Sequence, residues 1–105
     1  MGMMVKYYKE ATSSAGTATF NTDDLRGGCG RIFVKPPAET VTYDIKLTDD
    51  NNLDVYSAKG LRGTLNDISS QTLKGIYTVT ISNISVDGLF KFQIEYEEKM
   101  GGRIS

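Results

Sequence analysis

Alternation is the feature that most constrains this chain. In TVTYDIKLT, Val41, Tyr43, Ile45 and Leu47 fall on one side, and Thr42, Asp44, Lys46 and Thr48 on the other. IYTVTIS sets Tyr77, Val79 and Ile81 against Thr78, Thr80 and Ser82. FKFQIEYEE sets Phe90, Phe92, Ile94 and Tyr96 against Lys91, Gln93, Glu95 and Glu97. A side-chain period of two belongs to a β-strand with one buried face, and β-branched and aromatic residues suit that pleated surface.

Shorter alternating stretches predict further strands near residues 4–10, 17–20, 31–35 and 53–58. Turn-forming residues separate them: Gly27-Gly28, Pro36-Pro37, Asp50-Asn51-Asn52 and Asp87-Gly88. Pro36-Pro37 closes its strand, because neither residue can donate to a ladder. One stretch invites a helix. Thr64-Leu65-Asn66-Asp67 has the form of a capping box, and Leu61, Leu65 and Ile68 share a helical face. At most one short helical turn near 64–70 is therefore expected. The rest reads as an all-β chain of seven or eight short antiparallel strands in a single β-sandwich, jelly-roll or immunoglobulin-like. Residues 1–105 form one domain in this reading, with short terminal arms at 1–4 and 100–105.

Charge narrows the partners. Twelve basic and 13 acidic residues are interspersed, for a net charge of −1, so no basic stripe is present to neutralise phosphates. Nucleic acid is not an expected partner. The longest apolar runs are a few residues, far short of a membrane span. The stretch MGMMVKYYKE has neither the apolar segment nor the cleavage site of a secretory signal, and the lone Cys29 has no intrachain partner. Synthesis in a reducing cytoplasm is the expectation.

The residues supply little catalytic equipment. With no histidine, the Ser-His-Asp and Cys-His arrangements and histidine-containing zinc sites are excluded. Asp50, Asn52 and Asp54 have the spacing that opens many calcium loops. Counting from Asp50, however, the sixth and twelfth places hold Val55 and Leu61 instead of glycine and glutamate. The stretch reads as a hairpin tip. Cys29, in GGCGR, reads as a small buried thiol at a strand start. Neither glycine-rich segment is followed by Gly-Lys-Ser/Thr. Acid pairs such as Asp23-Asp24 and Glu97-Glu98 point to opposite strand faces, which makes them solvated charges. No catalytic, metal-binding or cofactor-binding residue is expected, and the chain is not expected to be an enzyme. Most aromatic residues lie on apolar strand faces. Tyr8 and Tyr56 fall out of phase and are expected as surface contacts.

Together, K-Y-Y-K-E-A-T followed by T-A-T-F, then F-V-K-P, Y-D-I-K-L-T-D-D-N-N-L-D-V-Y and G-I-Y-T-V-T-I-S-N-I-S span nearly the whole chain. In this run the sequence resembles small all-β virion proteins of tailed bacteriophages. The resemblance implies a non-enzymatic capsid decoration (cement) subunit, or a connector or tail component. It also implies the major capsid protein or neighbouring copies as partners, a symmetric homo-oligomer, and a place in the virion. No site residue is carried over from the family. Independently, Met3, Met4, Met100 and Ile104 stand near the ends, where the core does not need them, and with Tyr8 and Tyr56 they are the expected partner contacts. A carbohydrate-binding β-sandwich module is the alternative, favoured by a surface with two or more exposed aromatics and convergent amides.

Overall fold

The computed structural model describes residues 2–69 and 72–99. Among these described residues nine strands follow in order: β1 Gly2–Thr12, β2 Ala18–Asn21, β3 Leu25–Lys35, β4 Thr42–Thr48, β5 Asp54–Arg62, β6 Leu65–Ile68, β7 Thr72–Gly75, β8 Thr78–Ser82 and β9 Leu89–Lys99. They form two antiparallel sheets. In one, β1 pairs β9, β9 pairs β3, and β6 and β7 follow each other along the far edge of β3. In the other the order is β2-β8-β4-β5. The chain is a β-sandwich, as the alternation requires.

The core lies between the sheets. Every residue assigned inward in the three strongest strands is buried, from Val41, Tyr43, Ile45 and Leu47 to Phe90, Phe92, Ile94 and Tyr96. Phe92 stands at its centre. Its ring meets Tyr7 edge-on at 6.4 Å and Phe20 at 5.5 Å, which locks β9 to both β1 and β2. Tyr43 packs edge-on against Phe90 at 5.5 Å and donates its hydroxyl to the Gly63 carbonyl at 2.7 Å. That bond satisfies a polar atom which would otherwise be costly to bury.

Three expectations are corrected. Gly27-Gly28 is not a turn but lies in the first half of β3, which runs from Leu25 to Lys35. The backbone of Glu97 passes so close to Gly27 that a Cβ there would meet its carbonyl oxygen, and Gly27 itself has φ 144°. Glycine serves close packing of two strands here. A bulge at Gly30, between the pairs Cys29–Tyr96 and Arg31–Glu95, then shifts the inward phase from Leu25, Gly27 and Cys29 to Ile32 and Val34.

The helical turn near 64–70 is instead β6. The amide of Thr64 donates to Glu39 Oε1 at 2.9 Å and its hydroxyl to Glu39 Oε2 at 2.6 Å, so a distant carboxylate takes the groups a capping box would use. Asn66 accepts from Arg31 on the neighbouring strand at 2.9 Å. Lastly, residues 2–4 are no arm. Gly2, Met3 and Met4 continue the β1 ladder opposite Lys99, Glu98 and Glu97.

Candidate functional site

The edges of a sandwich are its reactive backbone, since each outer strand leaves amides and carbonyls without partners. Among the described residues four edges are present. β2 has four residues, and β6 and β7 have four each. β5 is longer but bulged twice, once at Lys59-Gly60 and once at Val55. The first bulge is clamped by Asp44, whose carboxylate accepts from the Gly60 amide at 2.8 Å and from the Asn83 side chain at 2.7 Å. Those bonds, with the Gly60 amide first, hold the Asp44 carboxyl below its usual pKa. Short or bulged edges resist pairing with another chain.

β1 differs from all of these. It is an eleven-residue strand in unbroken register with β9 from Gly2–Lys99 to Thr12–Leu89, with no bulge and no proline. No other strand pairs with its far side among the described residues. Tyr7 anchors it from within: it is 8% exposed and donates its hydroxyl to the Asn21 carbonyl at 3.4 Å. Outward, β1 presents Met4, Lys6, Tyr8 and Glu10. Met4 is 62% exposed and Tyr8 49%. Tyr8 donates to Glu10 at 2.7 Å, and Lys6 lies 4.0 Å from Glu95.

Register extends this edge into the outer face of its sheet. Tyr8 pairs with Gln93 and Gln93 with Phe33, which makes one row across three strands. The next row carries Glu10, Lys91 and Lys35. Tyr8, Phe33, Gln93, Lys91, Lys35 and Thr64 line a shallow recess of about 250 Å³. A second recess of about 250 Å³ continues from Lys35 and Lys91 to Pro36, Pro37 and Leu89. Lys35 and Lys91 stand directly opposite each other, an arrangement that repels unless an anion lies near.

The expected contact residues divide. Met4 and Tyr8 come together on the β1 edge. Tyr56 does not join them: it is half-buried on β5 and donates its hydroxyl to Asp67 of β6 at 2.8 Å, tying the edge of one sheet to that of the other. Burial first, then that hydrogen bond to a carboxylate, raises its pKa well above the phenol range. Met100 and Ile104 lie outside the described residues, as does the side chain of Met3. Sequence reasoning missed Phe33 and Gln93 as companions of Tyr8. Alternation alone puts each of them outward, but only register puts them in one row.

The hairpin reading of residues 49–54 holds in the geometry. Asp49 Oδ1 accepts from the amides of Asn51 and Leu53, both at 2.9 Å, and Asn52 takes the left-handed φ of 63° that closes the turn between β4 and β5. The recess beside it, about 470 Å³, includes Arg26 and Lys74 in its walls together with Asp49 and Asp50. Cys29 is buried, and burial raises its thiol pKa, the reverse of what a nucleophile needs. No protein-family model matches the chain, and a search of curated proteins returns no match.

Proposed function

We propose that this protein is a non-enzymatic structural component of a bacteriophage particle, a decoration subunit that holds to the shell or to neighbouring copies. A connector or tail position is the variant of the same reading. The observation that supports it is the β1 edge: long, regular, unbulged, and flanked by exposed Met4 and Tyr8. The other edges are short or interrupted by bulges, and this one offers a template for strand addition. Repetition in a symmetric particle would multiply such a contact by effective concentration. The resemblance to small all-β virion proteins points the same way. The test is co-sedimentation of the purified protein with particles of a tailed phage whose genome carries its gene. Saturable binding supports the reading, and free protein at every concentration refutes it.

A second reading has its own observation. The row Tyr8–Gln93–Phe33, with Lys35 and Lys91 beside it, has the aromatic and amide groups by which a flat sheet face takes up a sugar ring. Binding on a glycan array that Tyr8→Ala abolishes, with no affinity for particles, would replace the first reading by this one.

A further inference from the structure

We infer that the β1 edge pairs with the β1 edge of a second copy, antiparallel about a two-fold axis at Tyr8, to make one continuous sheet across a dimer. This rests on the assembly reading above and names the partner for its contact. Register and charge select this pairing. Side chains directly opposite in an antiparallel ladder point to the same face, so only registers that pair even-numbered with even-numbered residues keep both cores on one side. Among these, an axis at Tyr8 sets Lys6 of each copy against Glu10 of the other, twice over, and Met4 against Thr12. Moving the axis to Lys6 or Lys9 puts like charges on it. An axis at Tyr7 leaves Glu10 opposite Met4.

The neighbouring strands complete the pattern. Within one copy Glu10 stands beside Lys91, and Lys6 beside Glu95, which is followed by Arg31. Across the proposed junction the row therefore reads Lys35, Lys91, Glu10, then Lys6, Glu95 and Arg31 of the second copy; Lys35 and Lys91 are alike, and from Lys91 onward the sign changes at every step. The central row reads Gln93, Tyr8, then Tyr8 and Gln93 of the second copy. On the inner side, Lys9 would lie opposite Tyr7 of the other copy. Opposite charges facing each other across strands favour this register, like charges disfavour an axis at Lys6 or Lys9, and an axis at Tyr7 leaves Lys6 and Glu10 without opposite charges.

The test combines a charge swap with a covalent trap. In sedimentation equilibrium the parent should dimerise with concentration. Lys6→Glu and Glu10→Lys should each weaken the dimer by about tenfold, as two cross-strand ion pairs turn repulsive, and the double swap should restore it. Tyr8→Cys should oxidise to a covalent dimer, because the axis brings the two copies of that position within disulfide reach. Met4→Cys alone should not, whereas Met4→Cys with Thr12→Cys should. Cys29 is buried and does not compete. A parent that stays monomeric, or a Tyr8→Cys variant that fails to cross-link while Met4→Cys does, overturns the inference. Either result leaves co-sedimentation with particles free to succeed, so the two readings fail separately.

Discussion

At the scale of the residue, Tyr43 shows how one side chain couples the fold to pH. It is 1% exposed, and its hydroxyl donates to the Gly63 carbonyl. Burial first, and then the charge of Glu39, push its pKa up from 10.0 to about 12. The folded state thus favours the neutral phenol. Its contribution to stability is whole below 10.0 and is lost as the pH climbs from there toward about 12. Melting temperature should fall across that window. Tyr43→Phe should melt lower at neutral pH, having lost the hydrogen bond, and show a shallower alkaline fall. An unchanged alkaline slope would assign the loss to other groups. The two glycines of β3 give a sharper contrast. Gly27→Ala should destabilise by about 3 kcal/mol or more, because its Cβ would enter the Glu97 carbonyl and φ 144° is hostile to it. Gly28 has open space at its Cβ position, so Gly28→Ala should change stability little in denaturant titrations.

At the scale of the element, the period-two strands were legible because burial and alternation carry the same information. Val41 to Leu47, Tyr77 to Ile81 and Phe90 to Tyr96 needed no tertiary knowledge to be placed inward. β3 was legible only from Arg31 onward. Its first half is glycine-rich, and the bulge at Gly30 reverses the inward phase, so no single alternation runs through it. β6 was misread for a related reason. A four-residue strand has too few positions to separate a period of two from 3.6, and Thr64 is held by Glu39, which lies far away in sequence. The face assignment of β9 can be checked directly. Phe92→Ala should cost about 3–5 kcal/mol, from lost burial and the cavity left among Tyr7 and Phe20. Lys91→Ala, one residue away on the exposed face, should cost under about 0.5 kcal/mol. Equal small effects would mean the buried face is wrongly assigned.

At the scale of the whole molecule, the candidate site was half legible. Tyr8 and Met4 stood out by phase and position. Their joining with Gln93, Phe33 and the two lysines depends on the register between β1, β9 and β3, which local patterning does not encode. Residues 2–4 of the expected arm lengthen the edge instead, and this strengthens it as a template: an ordered strand has already lost the conformational entropy that a loose arm would lose on binding. On the proposed reading the working surface is this edge, and amide hydrogen exchange, resolved by residue, reports on each edge separately. In dilute protein, alternate amides of β1 that point away from β9 should exchange as open groups. On concentration, or on addition of phage particles, those same amides should become protected, while β2, β5, β6 and β7 stay as they were. Protection that arises at another edge, or open β1 amides under conditions where the protein is demonstrably assembled, would rule out β1 as the assembling edge.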